Sequence, residues 1–259
     1  ESIDRLDKVT LAEVRSLYTE QLGAQDGDLA VVGDFDPAAV TQQFRELVGD
    51  WKAHVPYQRI ERVAHPEVKG GTDNIDTPGK ANAVYMAAET LKMRDTDPAY
   101  AALEIGDYIL GGGPLSSRLA DRVRQKEGLS YAIGSHFLAA ARDPFAEVLV
   151  FAITNPKNIN RLDQAIHQEL GRLVEHGVTK AEVEEAIRSY LENVKVQRAN
   201  DTGLVVLLAE ELHNHRTMHY DEELENRIRK LTPEDVNAAL RKYIDPKRFV
   251  IIRAGDFKK

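Results

Sequence analysis

The two ends of this sequence resemble each other in one ungapped register. The segment that starts at Thr10 matches the segment that starts at Thr232, and the Gly-Asp-Phe run at Gly33 matches the run at Gly255. Both matches have an offset of 222 residues, because 232 − 10 and 255 − 33 give the same difference. Chance similarity between two helix–strand segments is the alternative, but it does not account for the shared register, so we interpret the ends as copies of one repeated domain.

A repeat of this length constrains the organisation of the whole chain. The sequence is expected to begin near the end of one copy and to contain the whole of the next, which leaves on the order of 180 residues of the first copy upstream. The apolar run Leu29–Val32 is predicted to be a strand that has lost its sheet neighbours. Such a strand presents unpaired backbone groups and favours pairing with another chain.

Capping signals and apolar periodicity predict the remaining elements. Helices are predicted over residues 10–22, 36–48, 97–110, 158–176, 179–198, 203–213 and 222–230, and again from residue 232. Strands are predicted at residues 81–88, 131–137, 146–154 and 249–254, and residues 52–71, rich in Pro and Gly, are predicted to be an extended linker. Strands mixed with clustered helices indicate an α+β fold, with helices on one face of a mainly antiparallel sheet.

The composition excludes several classes of function. The formal net charge of −8 argues against a nucleic-acid partner, which needs a basic face on the protein. No apolar run is long enough for a membrane span, and the absence of Cys excludes disulfides and thiolate metal sites. Among the His residues, only His215 and His219 have the helical i, i+4 spacing of metal ligands, without a Glu between them. Such residues are more often solvated positions at a helix end.

The segment Leu110–Tyr131 carries the most specific pattern in the chain. Three glycines, Gly111–Gly113, allow the backbone to bend, and Pro114 predicts that a new helix starts directly after it. The predicted helix has one apolar stripe, formed by Leu115, Leu119 and Val123. Gly128 is expected to end this helix, and the next strand then starts at Tyr131. Arg124 and Tyr131 therefore flank one turn, from which both can point into the same space.

This segment resembles the second domain of the M16 metallopeptidases, the insulinase and processing-peptidase group. Members of that family carry a glycine-rich segment, then Ser-Arg-Leu, then an Arg seven residues before a Tyr. Here these are Gly111–Gly113, Ser117–Leu119, and the pair Arg124 and Tyr131. The resemblance extends over nearly the whole chain.

The resemblance implies a fold and a division into domains. M16 proteins consist of paired α+β domains of the LuxS/MPP-like metallohydrolase type. Residues 1–52 are accordingly expected to be the C-terminal tail of a preceding domain of this kind, residues 53–72 a linker, and residues 73–259 a complete C-terminal-type domain. Prokaryotic relatives with long tandem chains are often exported, so the periplasm or the cell envelope is the expected compartment.

The resemblance also implies where the metal lies. Family members bind zinc through His-x-x-Glu-His in the first domain and through a distant Glu, and this motif is absent from the sequence. Zinc is therefore expected in the complete enzyme, bound by another domain, and this chain alone is expected to be inactive. The implied partners are a zinc-bearing M16 domain, in cis or in trans, and a peptide or unfolded polypeptide substrate.

In the family, the second domain contributes an Arg and a Tyr to the peptidase site, which makes Arg124 and Tyr131 the candidate catalytic residues. Tyr131 is expected to donate a hydrogen bond to the oxyanion, and Arg124 to hold a backbone carbonyl or a carboxylate. The alternative is that Arg124 is a surface helix residue and Tyr131 a core residue at a strand end. Arg118 is interpreted as structural, in a salt bridge to a helix carboxylate.

Gly111, Gly112 and Gly113 are the candidate substrate-binding residues, because a glycine-rich loop at this place contacts substrate in related proteins. They also suit a plain break between two helices. They suit a phosphate-binding loop poorly, because a helix precedes them where such a loop requires a strand.

Two functions from different classes remain. The first is the C-terminal part of a zinc-dependent M16 endopeptidase that supplies Arg124 and Tyr131 to a site whose zinc lies elsewhere. The alternative is a non-catalytic partner or scaffold subunit of the same fold, which binds peptide or a zinc-bearing subunit. A stand-alone peptide-binding domain is a third possibility, which requires that this chain binds extended peptides by itself.

Overall fold

The computed structural model describes residues 3–113 and 116–258. The chain divides into two compact units, and each is described by itself. The first unit contains Glu1–Glu61 and Arg198–Thr217, and the second contains Arg62–Gln197 and Met218–Lys259.

The helices follow the capping signals of the sequence closely. The α-helices are α1 (Ile3–Leu6), α2 (Leu11–Gln21), α3 (Pro37–Val48), α4 (Tyr100–Asp107), α5 (Ile159–His176), α6 (Lys180–Arg198), α7 (Asp201–His213), α8 (His219–Arg229) and α9 (Pro233–Tyr243). Two segments of π-helix, Tyr108–Gly112 and Ala120–Lys126, and a short 3₁₀ turn, Pro156–Asn158, complete the helical elements of the described residues.

Side chains at the helix N-termini explain where three of these helices begin. Thr10 accepts a hydrogen bond from the Glu13 amide while the Glu13 carboxylate accepts one from the Thr10 amide, which is a capping box. Thr232 and Asp235 form the same arrangement at α9, and Asp36 caps α3. The predicted starts of these helices are confirmed, because a cap is a local interaction that the sequence alone specifies.

The second unit contains one five-stranded sheet. Its strands are β1 (Gly71–Asp76), β2 (Ala83–Leu91), β3 (Ser130–Ala139), β4 (Ala146–Thr154) and β5 (Val250–Gly255). Their order across the sheet is β1-β5-β2-β4-β3. Only β1 and β5 pair in parallel, and the other three pairs are antiparallel. The predicted α+β fold with a mainly antiparallel sheet is confirmed.

The core lies between one face of this sheet and the helices. Along β2, Ala83, Tyr85 and Ala87 are buried, whereas Val84 and Met86 between them are exposed. Since side chains alternate between the faces of a strand, this pattern means that one face is covered and the other is open. Helices α4 and α5 contact the sheet, and α9 packs against both of them.

One strand prediction was wrong, and one strand was missed. Leu29–Val32 is not a strand, and Leu29 and Val31 are exposed, because no strand of the described residues lies beside this segment to complete a ladder. Conversely, β1 was not predicted: it begins at the end of the predicted linker and continues to Asp76, through residues for which no element was predicted. Its sequence, Gly-Thr-Asp-Asn-Ile-Asp, is polar and exposed throughout, so it has no apolar alternation to reveal it. It is held as an edge strand by backbone pairing with β5.

Candidate functional site

The glycine run lies at the end of a helix. Gly111 and Gly112 lie inside the first π-helical segment, and Gly113 follows it in an extended conformation with φ −72°. The backbone bends at Gly113, although none of the three glycines has a positive φ. Larger side chains would clash here, as predicted: a Cβ on Gly111 would lie 2.5 Å from the Ser135 amide nitrogen, and one on Gly112 would lie 2.6 Å from Asp107 Oδ2.

The chain after the glycines returns to helix within a few residues. Pro114 and Leu115 lie outside the described residues, so the predicted helix start after Pro114 and the place of Leu115 in the apolar stripe stay predictions. Leu119 and Val123, the other two members of that stripe, are fully buried, as predicted. Arg124 lies in the second π-helical segment and is exposed.

A tight turn joins this helix to β3. The Glu127 amide donates a hydrogen bond to the Arg122 carbonyl at 3.0 Å, and the Leu129 amide donates one to the Val123 carbonyl at 2.8 Å. Gly128 between them has φ +60°, a conformation that favours glycine, so its predicted role as the end of the helix is confirmed. The turn leads directly into Ser130, the first residue of β3.

Tyr131 is 68 % exposed, so it is not the core residue of the alternative interpretation. A regular strand would put Tyr131 on the same face as Ser135 and Phe137, which are buried. The register with β4 shifts between Ser130 and Ala132, however, so that Tyr131 is the extra residue of a β-bulge. The bulge turns the phenol away from the core.

The charges around Arg124 leave its guanidinium available. The nearest carboxylates in sequence are paired with other cations, Asp121 with Lys126 at 2.6 Å and Glu127 with Arg122 at 2.9 Å. Within residues 3–113 and 116–258, no carboxylate pairs with Arg124. Arg124 is thus a surface residue of a helix whose planar fork is free to bind a carbonyl or carboxylate ligand.

Buried ion pairs fix the helix that carries Arg124. Arg122 Nη1 donates to Glu169 Oε1 of α5 at 2.8 Å, and Glu169 is itself buried. Arg118 Nε and Nη2 donate to the two carboxylate oxygens of Glu182 on α6, at 2.8 and 3.0 Å. The structural interpretation of Arg118 is confirmed. The role of Glu169 could not be predicted, because nothing in the sequence distinguishes it from the other polar residues of an amphipathic helix.

Two acids with buried carboxyl oxygens, Glu104 and Asp107, lie next to the glycine run. Burial and the neighbouring charge of Asp107 raise the pKa of Glu104 to about 8, and burial raises the pKa of Asp107 to about 6. Glu104 Oε2 and Asp107 Oδ1 have no hydrogen-bond partner among the described residues. The sequence did not single them out, because carboxylates three residues apart on a helix are ordinarily solvated.

Within residues 3–113 and 116–258, the side chains do not form a zinc site. No group of three or more His, Asp or Glu residues in the described part of the chain could hold a metal. His215 and His219 are not on one helix, contrary to the spacing argument: His215 lies in the turn after α7 with φ +57°, and His219 is the first residue of α8. The ring of His219 lies 3.4 Å from Glu222 and 3.3 Å from Glu223.

Comparison with known proteins gives the same family as the sequence pattern. A family model described as the peptidase M16 inactive domain matches residues 8–190, which is more than half of the chain. The chain belongs to the peptidase M16 family. This M16 chain is 26 % identical over 249 residues to an uncharacterized zinc protease of Streptomyces coelicolor, a match that covers 93 % of the chain and 52 % of that protein.

Solved structures share the fold. The chain superposes on a peptidase M16 inactive domain from Pseudomonas fluorescens with a TM-score of 0.78 and 23 % identity, over 98 % of this chain and 59 % of that one. It superposes on a protease from Helicobacter pylori with a TM-score of 0.80 and 16 % identity, over 98 % and 61 %. The chain thus spans about half the length of the curated relative and three fifths of these structures. Among the described residues, no helix has the length and apolar character of a transmembrane span.

Proposed function

We propose that this chain is the C-terminal part of a zinc-dependent M16 endopeptidase, in which Arg124 and Tyr131 act on a peptide at a site whose zinc another domain binds. The observation that carries the proposal is the exposure of Tyr131 on a β-bulge, one turn after an Arg124 that has no carboxylate partner among the described residues. The family membership and the name of the zinc protease relative support it.

Tyr131 is proposed to stabilise the oxyanion. When water attacks a peptide carbonyl, negative charge develops on the carbonyl oxygen, and a donor aimed at that oxygen lowers the barrier. A phenol suits this role because its hydroxyl group is a neutral hydrogen-bond donor. One such donor in a dry site is worth about 3–4 kcal/mol of activation free energy, which corresponds to a factor of roughly 10²–10³ in kcat.

Arg124 is proposed to position the substrate. Its guanidinium stays charged and offers two parallel N–H groups to a backbone carbonyl or a carboxylate. In the glycine run, Gly111 is packed against Ser135, so a direct contact with the peptide backbone would fall to Gly112 and Gly113. Gly113 lines a cavity of about 290 Å³ together with Tyr108, Ser116 and Ser189.

Residues 1–52 are proposed to be the C-terminal tail of a preceding M16-type domain, followed by a linker over residues 53–72 and a complete domain over residues 73–259. The repeat offset of 222 residues supports this division. The exposure of apolar residues in the tail, at positions whose counterparts in the second copy are buried, supports it as well.

The Tyr131→Phe variant of the complete enzyme tests the proposal. The variant removes the donor and keeps the ring, so kcat should fall by roughly 10²–10³-fold, while the KM and the zinc content stay close to those of the parent. Tyr57→Phe is the matched control, because Tyr57 is also an exposed tyrosine but lies in the first unit. An unchanged kcat in Tyr131→Phe would refute the role of the phenol.

A partner-subunit function is the second candidate. It is favoured by the match to a model described as the inactive domain. The intact mass and zinc content of the natural, untruncated product separate the two. About one zinc per chain supports the peptidase, and a longer chain without zinc supports a subunit that serves a separate zinc-bearing protein.

A further inference from the structure

We infer that Ser130 and Thr154 are positioning residues for Tyr131: their hydroxyl groups hold the β-bulge that turns the phenol out of the core. The inference rests on the proposed role of Tyr131 for its effect on catalysis, but the bulge itself is a property of the described chain. Neither residue was assigned a role from the sequence: Ser130 directly precedes the strand predicted at residues 131–137, and Thr154 is the last residue of the strand predicted at residues 146–154.

The bulge leaves backbone groups that the regular ladder does not pair. Ser130 lies opposite Thr154 and Ala132 lies opposite Ile153, so three residues of β3 span the space of two residues on β4. The extra residue of a bulge interrupts the alternation of inter-strand hydrogen bonds. Buried backbone groups that lose a partner in this way need another one, because leaving them unpaired costs free energy.

The Ser130 hydroxyl supplies those partners. Its oxygen accepts a hydrogen bond from the Ala132 amide at 3.1 Å. It also lies 2.7 Å from the carbonyl oxygens of Ala132 and Ile153, to either of which it can donate its proton. One side chain therefore bridges both sides of Tyr131 and the facing strand. Ser130 is buried, so water does not compete for these bonds.

Thr154 holds the other end of the bulge. Its Oγ1 donates to the Leu129 carbonyl at 2.5 Å, and Thr154 is buried at the end of β4. Leu129 is in turn tied to the Arg124 helix, since its amide donates to the Val123 carbonyl. The two hydroxyls thus connect β4, the bulge and the helix that carries Arg124, so that the Tyr131 and Arg124 backbones are fixed through the same turn.

Without these bonds, the regular register becomes competitive. A strand without a bulge would direct Tyr131 toward the face that Ser135 and Phe137 bury. The expected effect of removing a hydroxyl is therefore a change in where the phenol lies. A misplacement on the order of 1 Å in a catalytic group can cost up to about 10²-fold in rate.

Two pairs of variants test the inference in the complete enzyme. Ser130→Ala should lower kcat by about tenfold or more with little change in the KM or the zinc content, whereas Ser135→Ala should not. Ser135 is a matched control because it is a buried serine of the same strand, away from the bulge. Thr154→Val removes the second hydroxyl and should act like Ser130→Ala, whereas Thr154→Ser keeps the hydroxyl and should retain activity. This second pair still decides the question if Ser130→Ala fails to fold.

The second readout is independent of catalysis. Tyr131 should be nitrated readily by tetranitromethane in the parent, and Ser130→Ala and Thr154→Val should lose most of that nitration, measured by peptide mapping with the exposed Tyr57 as the internal reference. Unchanged nitration of Tyr131 in both variants would overturn the inference. If nitration falls but Tyr131→Phe leaves kcat unchanged, the bulge has the role inferred here and the proposed function is the part that fails.

Discussion

The two copies of the internal repeat adopt the same helix in different surroundings. Helices α2 and α9 each contain 11 residues and each start with a capping box. At five matched apolar positions, the residues of the C-terminal copy are between 0 % and 7 % exposed, and those of the N-terminal copy are between 41 % and 64 % exposed. The pairs, C-terminal copy first, are Val236 and Val14, Ala239 and Leu17, Leu240 and Tyr18, Ile244 and Leu22, and Ile251 and Leu29.

The difference separates what is specified locally from what requires a neighbour. The caps and helix bounds are alike in both copies, because they depend on residues within one turn. The strand differs between the two copies: β5 pairs with β1 and β2, whereas its counterpart, residues 28–33, forms no strand. The apolar residues of the N-terminal copy have the pattern of a core without the sheet that would bury them. Four predictions test or sharpen this comparison.

The largest expected effect is slower amide hydrogen exchange of residues 28–33 in the complete protein than in this chain. If a preceding domain supplies counterparts of β1 and β2, residues 28–33 become an inner strand, parallel to one neighbour and antiparallel to the other. Their backbone amides should then exchange with solvent on the order of 10³-fold more slowly than in this chain, as expected of a core strand. Amide hydrogen exchange read out by mass spectrometry measures this. The β5 amides, which already have both neighbours, are the control and should differ little. Equal exchange of residues 28–33 in both proteins would contradict the proposed division into domains.

Two identical substitutions at matched positions give the next largest effect. Val236→Ala removes buried methyl groups from α9 and should lower the free energy of unfolding of this chain by about 2–3 kcal/mol. Val14→Ala should change it by less than about 0.5 kcal/mol, since Val14 is half exposed and Ala is the better helix former. Urea unfolding followed by circular dichroism measures both. Similar losses for the two variants would mean that Val14 already packs in a core.

The same division between local and tertiary information explains what the sequence could predict. The helices from α2 to α9 and the strands from β2 to β5 were anticipated, because caps, apolar periodicity and alternation depend on residues that are close in sequence. The short helix α1 (Ile3–Leu6) was not predicted. The strand β1 was missed, because it is polar and pairs only through its backbone. Leu29–Val32 was predicted as a strand for the opposite reason: it has the composition of a strand but not the neighbours.

The candidate site divides in the same way. The spacing of Arg124 and Tyr131 around a turn could be predicted, because Gly128 marks the end of the helix. The exposure of Tyr131 could not, since it depends on a one-residue shift in pairing with β4. The partners of the glycine run could not be predicted either, because the contact of Gly111 with Ser135 lies between distant segments.

A smaller effect is expected from pH, and only in the C-terminal copy. Helix α9 packs on α4, which carries the buried Glu104, and the described tail has no counterpart of this helix. A carboxyl whose pKa is raised in the folded state keeps its full stabilising effect below its ordinary pKa and loses it as the pH rises toward the folded value, here about 8. The free energy of unfolding of the second unit should therefore decrease as the pH rises from 5 to 8.

The Glu104→Gln variant tests this pH dependence, because its side chain stays neutral over the whole range. Unfolding in urea at several pH values should give a flatter profile for Glu104→Gln than for the parent. Glu184→Gln is the control, since Glu184 is exposed on α6 and is expected to leave the slope unchanged. If the stability of the parent does not change from pH 5 to 8, the predicted effect of Glu104 is contradicted.

The smallest effect should be the same in both copies, and this equality tests the comparison most directly. Thr10→Ala and Thr232→Ala each remove a capping box, and each should cost about 1 kcal/mol of local helix stability.

The caps also lower the pKa of Glu13 and of Asp235, through hydrogen bonds from Thr10 and Thr232. A carboxylate whose pKa is lowered in the folded state stabilises that state at pH values above its ordinary pKa. This stabilisation is lost as the pH falls through the folded-state pKa, so the first turns of both helices should fray in acid. Amide exchange in the first turns of α2 and α9 measures the two losses separately. Since a cap acts within one turn, equal losses are expected although one helix is buried and the other exposed. A much larger loss for Thr232→Ala would mean that even the cap depends on the core that α9 has and α2 lacks.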